Sequence, residues 1–299
     1  MRLASYIHHG EASYGMVQGD EVLDLPAAAK ASGLVALPAT LWSFIAAADT
    51  TRGIADVLAV DRPAAALRAL ADVRLIAPIP RPAKNIFCIG RNYVDHIKER
   101  QPDQAAAVKL PQFPQIFTKA PTTVIGPDDT FPLDAALTAA LDYEVELAVI
   151  IGLSGRNLSR EAALAHVFGY TIGNDITARD VQKRHEQWFK GKSFDRSCPL
   201  GPWIITSDEV ADYRALELSL SVNGEERQRA RAEQMIFDLP EIIATLSAGM
   251  TLEAGDIILT GTPSGVGAGF TPPRFLVPGD VVTCAISGIG TLTTRIVAA

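Results

Sequence analysis

The chain has 299 residues, of which 48% are hydrophobic and 20% charged, with a formal net charge of −7. That length suits one large domain, or a large one beside a small one, with material for a substantial core. The acidic balance and the lack of any Lys/Arg run exclude a nucleic-acid groove, and no apolar run approaches the ~20 residues needed to span a bilayer.

The N-terminus, MRLASYIHHGEASYG, has no apolar signal region and no cleavage site. Leu3, Ser5, Tyr6 and Ile7, then Met16 and Val17, then Val22, Leu23 and Leu25 read as short strands, with GEASYG and QGDE as turns. From Pro26 to about Leu70 the pattern becomes Ala-rich, and LWSFIAAA and GIADVLAV space their apolar residues as helices do. Residues 1–76 therefore predict a small N-terminal α/β domain. Pro78, Pro80 and Pro82 then remove backbone donors and fix φ, so 77–84 is expected to be an extended linker.

Residues 85–299 read as a second domain. The runs NIFCIG, IFTKA, LAVIIG, GYTIGND, GPWIITSD, LELSLSVNGE, GDIILTG and GDVVTCAISGIG are short and β-rich, and Asn223-Gly224 is a hairpin signal. Helical patterns interrupt at SREAALAHVFG, with Ser159 as N-cap and Glu161 in the first turn, and at DLPEIIATLSAG. Many short strands and few helices predict an α+β, mostly β fold, rolled or barrel-like rather than a βαβ array. Arg100 to Pro114 is polar and Pro-punctuated, which predicts a mobile loop able to act as a lid. Cys88, Cys198 and Cys284 are too far apart for a zinc site and odd in number, which fits a reducing compartment, expected to be the cytoplasm.

The chemistry concentrates in LDYEVELAVIIG. In a strand, residues two apart share a face, so Glu144 and Glu146 stand side by side among Leu141, Leu147, Val149 and Ile150. Adjacent buried anions repel one another and lose hydration unless a cation joins them. Asp175 follows a similar run, YTIGN, and three carboxylates without a Cys/His set suit a hard divalent ion, Mg²⁺ or Mn²⁺. The same spacing also fits a polar strand face with its Glu residues in solvent.

Other segments admit two readings each. In GRNYVDHIKE, His96 and Glu99 share a helix face and form either an acid–base pair or an incidental surface contact. Arg179 forks onto a substrate carboxylate or pairs with Asp180 or Glu186 at the surface. Lys192, between Gly191 and Ser193, can hold an enolate oxygen or a carboxylate; a phosphate loop is excluded because no Gly lies at the required distance upstream. The loop Thr260–Gly267 offers donors to an oxyanion, or is a plain turn.

Taken together, CIGRNYVDHIKE, PQIFTKAPTTVIGP, LDYEVELAVIIG, GNDITARDVQ, KGKSFDRSCPLGP, GDIILTGTPSGVG and GDVVTCAISGIG resemble the fumarylacetoacetate hydrolase family, in family order over roughly residues 84–290. The likeness is nearest to the subgroup of acylpyruvate hydrolases and oxaloacetate decarboxylases. The resemblance implies a mixed β-roll core, a small N-terminal domain, a homodimer, and Mg²⁺ or Mn²⁺ on Glu144, Glu146 and Asp175. It implies that His96 and Glu99 form a dyad handling water, on a segment that orders when ligand binds. It implies that Lys192 lies beside the substrate oxygens at the metal, and that Arg179, Gln182 and Thr262 contact substrate. Ser287 and Thr294 depart from the family's frequent Glu and Asn.

The implied activity is metal-dependent hydrolysis of a C–C bond in a 2,4-dioxo acid, an acylpyruvate such as fumarylpyruvate or maleylpyruvate, releasing pyruvate. Decarboxylation, isomerisation or hydration of 2-oxo acids, among them oxaloacetate and intermediates of aromatic degradation like 2-hydroxyhepta-2,4-diene-1,7-dioate, keeps the same site and changes the bond. A non-catalytic binding protein on this fold is the alternative of another class.

Overall fold

In the computed structural model of the protein, residues 1–34, 36–47, 63–101 and 108–299 are described. GIADVLAV and residues 102–107 of the expected loop lie outside the described residues.

The strands in chain order are β1 (Arg2–His8), β2 (Glu11–Gln18), β3 (Glu21–Asp24), β4 (Leu67–Ala69), β5 (Arg74–Ile76), β6 (Ile86–Gly90) and β7 (Gln115–Lys119). Then follow β8 (Val124–Ile125), β9 (Thr130–Leu133), β10 (Leu141–Asp142), β11 (Val145–Ile151), β12 (Gly155–Arg156), β13 (Val167–Asn174) and β14 (Thr177–Ala178). The remainder are β15 (Cys198–Thr206), β16 (Glu217–Val222), β17 (Glu225–Arg231), β18 (Thr251–Leu252), β19 (Ile257–Leu259), β20 (Val281–Ile286) and β21 (Gly290–Ala298). The helices are α1 (Leu25–Ala31), α2 (Leu41–Ala46), α3 (Val94–Glu99), α4 (Arg160–Ala163), α5 (Arg179–Arg184), α6 (Phe189–Lys192) and α7 (Leu239–Ser247). The fold is mostly β, with the mixed-sheet character expected from the resemblance.

A large sheet runs β4-β3-β2-β1-β15-β13-β11-β19-β6-β7, and a second runs β17-β16-β20-β21-β9. The run VELAVII forms β11 because it is buried on both faces, which calls for continuous rather than alternating hydrophobicity. Leu147, Val149 and Ile151 enter the core between the sheets, with Leu218, Leu220, Val282 and Cys284. Ala148 and Ile150 face the opposite core, with Leu200, Ile257, Leu259 and residues of β1, β2, α1 and α2. Each buried Leu, Val or Ile among these contributes roughly 1.5–3 kcal/mol.

The N-terminal strands continue this sheet: β1 pairs with β15 through Arg2↔Ile205 and Leu3↔Ile204. The proline-rich segment is packed rather than free, with Ala77 and Ile79 buried and the Ser5 hydroxyl donating to Pro78 O at 2.8 Å. Asn223-Gly224 joins β16 to β17 with φ of 53° and 81°, the left-handed pair of a tight hairpin. Ser159 caps α4 by accepting from Ala162 N–H. Among the described residues, no helix is long and apolar enough to cross a membrane.

Candidate active site

The antiparallel register of β11 and β13 creates the acidic centre. Val145↔Asn174 and Glu146↔Gly173 set the start of one strand beside the end of the other, and Asp175 N–H donates to Glu144 O at 2.9 Å. Glu144, Glu146 and Asp175 are all buried, and one carboxylate oxygen from each lies within 4.8 Å of the others. Glu146 shares its strand face with Ala148 and Ile150, whereas Leu147 and Val149 point into the inter-sheet core. The solvent-facing reading of the two Glu is thereby removed.

Three cations surround these anions. Lys192 Nζ bridges Glu144 Oε2 at 2.5 Å and Asp175 Oδ2 at 2.6 Å. Arg179 donates through Nη2 to Glu144 Oε1 at 2.6 Å and through Nε to Asp142 Oδ2 at 2.8 Å. Lys119 Nζ reaches Asp175 Oδ1 at 2.7 Å and also donates to Ile176 O, Ser197 Oγ and Lys192 O. Arg179 thus takes neither expected surface partner: β10 pairing with β14 sets it beside Asp142, and it is buried.

The consequence differs for each carboxylate. Burial alone would raise the pKa of Glu144, but Arg179, Lys192 and His96 outweigh it and hold it far below the usual range. Glu146 has no ion pair among the described residues and accepts only Gly261 N–H, at 2.6 Å. Burial, then repulsion from Asp175 and Glu144, push its pKa well up. Gly261 makes that contact from a left-handed φ of 99°, where a Cβ would also strike Asn92.

An all-oxygen set carrying one carboxylate more than its local ion pairs neutralise fits a hard divalent cation. Glu144, Glu146 and Asp175 are placed to hold a divalent metal ion.

Over this centre stands α3. His96 Nδ1 meets Glu99 Oε1 at 2.7 Å, and the other Glu99 oxygen accepts Gly265 N–H at 2.7 Å. The glycine-rich loop therefore spends this donor on Glu99. Its Gly267 and Ala268 N–H groups go to Asp142, at 2.6 and 3.1 Å. Asn92 fixes the start of α3, donating to Thr260 O and Phe237 O and accepting Phe237 N–H.

His96, Glu144, Glu146, Arg179, Gln182, Lys192 and Thr262 line one cavity of about 810 Å³, walled by Ile89, Ile97, Phe117, Trp188 and Phe275. Gln182 Oε1 lies 3.4 Å from Arg179 Nη1. The Thr262 hydroxyl is committed within the protein, donating to Val145 O at 3.0 Å and accepting from Gln228 Nε2 at 2.9 Å. Glu99 stands behind His96.

Sequence reasoning missed Lys119, Asn92 and the role of Asp142. Lys119 ends the apolar strand QIFTK, and a fully buried Lys there is a signal only once its anion is known. Asp142 sits next to the acidic pair and was legible as a third carboxylate in the same run. Of the family departures, the Ser287 hydroxyl accepts Glu217 N–H at 2.8 Å, and Thr294 is buried with its hydroxyl unpartnered among the described residues.

Residues 85–297 match the family described as "Fumarylacetoacetate (FAA) hydrolase C-terminal". Over its whole length the chain is similar to a protein named oxaloacetate tautomerase YisK from Bacillus subtilis (strain 168), 47% identical over 304 residues, covering 99% of this chain and 100% of the relative. Among solved structures it resembles the fumarylacetoacetate hydrolase of Exiguobacterium antarcticum, with a TM-score of 0.83 and 41% identity over 100% of both chains. It also resembles the maleylpyruvate hydrolase of Sphingobium sp. SYK-6, with a TM-score of 0.78 and 32% identity over 100% of both.

Proposed function

Because the chain belongs to the fumarylacetoacetate hydrolase family, as the family match over 85–297 establishes, we propose that it interconverts the enol and keto forms of oxaloacetate. The observation that carries this reading is the 47% identity, end to end, with a protein named for that reaction. It replaces acylpyruvate hydrolysis, the first expectation from the sequence, as the preferred activity.

Glu144, Glu146 and Asp175 would hold a divalent ion. When bound, that ion supplies Lewis-acid polarisation of the 2-oxo oxygen, which lowers the energy of the enolate. The chain's own groups do the rest. Lys192 Nζ, buried between Glu144 and Asp175, adds positive charge where the enolate oxygen forms. Burial works against that charge, but Asp175 and Glu144 overcome it and keep the ammonium protonated. His96 lines the cavity with Nδ1 tied to Glu99, which leaves Nε2 to move the proton at C3. Arg179 holds Glu144 in place and keeps one nitrogen near Gln182. Phe117 and Trp188, 5.3 Å apart edge to face, wall the cavity and limit water.

Hydrolysis of an acylpyruvate is the second reading, favoured by the likeness to the maleylpyruvate hydrolase. There His96 would deprotonate an attacking water instead of carbon. Freshly dissolved enol-oxaloacetic acid, followed by ultraviolet absorbance with Mg²⁺ or Mn²⁺, tests the first reading. Acetylpyruvate, maleylpyruvate and fumarylpyruvate, followed by pyruvate release, test the second. Faster ketonisation than buffer alone, without pyruvate, is the expected result; pyruvate from the acylpyruvates alone would overturn it. His96→Ala should slow ketonisation by about 10²–10⁴-fold and leave metal affinity unchanged. An undiminished rate would remove His96 from the chemistry.

A further inference from the structure

The mouth of the cavity has a charge character opposite to the molecule's. The chain carries a net −7, yet Arg91, Arg100 and Lys183 line the cavity, and the ion pairs among the described residues include none of them. Asp180 and Glu186 also line it, but Asp180 is already taken up by the Thr138 hydroxyl at 2.6 Å and by Ala139 N–H, so the three cations stay in excess there. An anionic ligand is drawn to such a rim, and low-dielectric walls focus the field.

Arg100 is distinguished from the other two. It follows Glu99 as the C-cap of α3, with φ −95° and ψ 0°. It therefore lies one turn beyond His96, on the same helix face. Its side chain stays exposed at the cavity wall, yet partial desolvation and then repulsion from Arg179 draw its pKa below the ordinary arginine value, against the pull of Glu144, Asp142 and Glu99. Arg179 is already neutralised by Asp142 and Glu144. Arg100 faces the same anions without reaching any of them. An anion entering the cavity would gain a forked, charge-assisted contact and relieve that repulsion.

We propose that Arg100 binds the substrate carboxylate remote from the acidic triad, and so selects 2-oxo dicarboxylates over 2-oxo acids with a neutral tail. This rests on the reading that the 2-oxo acid end sits at Glu144, Glu146, Asp175 and Lys192. In a four-carbon diacid, C3 and the C4 carboxylate are bonded neighbours. A helix presenting the His96 imidazole and the Arg100 guanidinium one turn apart serves both at once. An ion pair to the C4 carboxylate also opposes decarboxylation: breaking C3–C4 leaves the electron pair on C3 and requires the carboxylate to give up its charge and depart as neutral CO₂.

The test compares enol-oxaloacetate with its 4-ethyl ester, which has the same carbon frame and no distal charge. Wild type should prefer the diacid. In Arg100→Gln, KM for the diacid should rise about 10–10²-fold, the range expected for losing a hydrogen bond to a charged group. Its kcat should move little, the ester should change far less, and Arg100→Lys should recover part of the diacid KM. An equal fall in kcat/KM for both substrates, or a wild type without preference, would overturn the assignment of Arg100. Wild type that ketonises neither compound would overturn the underlying reading and this proposal with it. Unchanged thermal unfolding of Arg100→Gln excludes a folding defect as the source of any difference.

Discussion

Glu146 differs from its neighbours in the acidic triad by having no ion pair among the described residues. Glu144 has Arg179 and Lys192, and Asp175 has Lys192 and Lys119. The imbalance has a pH signature. Burial first, then Asp175 and Glu144, raise the folded-state pKa of Glu146 above its ordinary 4.5. A carboxyl shifted upward supports folding fully below its unfolded pKa, and that support is lost as pH rises toward the folded one. Metal-free protein should therefore lose stability, relative to Glu146→Gln, as pH climbs from about 4.5 through the neutral range. Thermal unfolding in EDTA from pH 5 to 8 checks this, and a constant gap between the two proteins would contradict it. The same substitution removes a carboxylate of the proposed metal site, so Mn²⁺ affinity should fall by more than the ~10–100-fold typical of groups behind the ligands. The triad was readable only in part: the two-residue spacing suggested that Glu144 and Glu146 share a face but left a solvent-facing reading open, and Glu144 sits just ahead of β11 rather than within it. Lys119 was not readable: nothing in QIFTK distinguishes a strand-end Lys in solvent from one buried on Asp175.

At the scale of elements, the glycine-rich loop and α3 form one unit. Thr260–Gly267 was readable as a donor-rich loop, but not which acceptor it serves. Gly265 N–H goes to Glu99 and Gly267 N–H to Asp142, both protein carboxylates. Local sequence cannot specify such a choice, because it depends on where a helix some 165 positions away comes to rest. The contact is close: a Cβ on Gly269 would stand 2.5 Å from Glu99 Oε2 and 2.8 Å from its carboxyl carbon. Gly269→Ala should push the Glu99 carboxylate off His96 and lower turnover by up to about 10²-fold, as displacements near 1 Å do. Metal affinity should be retained, because Glu99 is not part of the acidic triad. A variant with wild-type turnover would show that the helix yields without cost, and that the dyad geometry is not set by this loop.

The whole molecule couples sheet to site. β11 and β13 are central strands buried on both faces, and the triad hangs from their adjoining ends. Strand identity was readable from composition, since runs such as LAVIIG have few other uses. The pairing of β1 with β15 was not, because register between segments some two hundred residues apart leaves no local periodicity. Because the strand ends that carry the acidic triad belong to the core, a metal held there should be felt in global stability rather than in a loop. A ligand that binds only the folded state stabilises it by about 2.7 kcal/mol at a hundred times its Kd. For a chain of this size, about 2 °C per kcal/mol converts this to a rise in Tm of about 5 °C. Mn²⁺ or Mg²⁺ added to EDTA-treated, dialysed protein should produce that rise in differential scanning calorimetry. Glu146→Gln, starting from a less strained metal-free state, should show little of it. Equal shifts in both proteins would move the ion's seat away from Glu146. No shift in wild type at saturating metal, alongside full turnover in excess EDTA, would remove the ion from the site altogether.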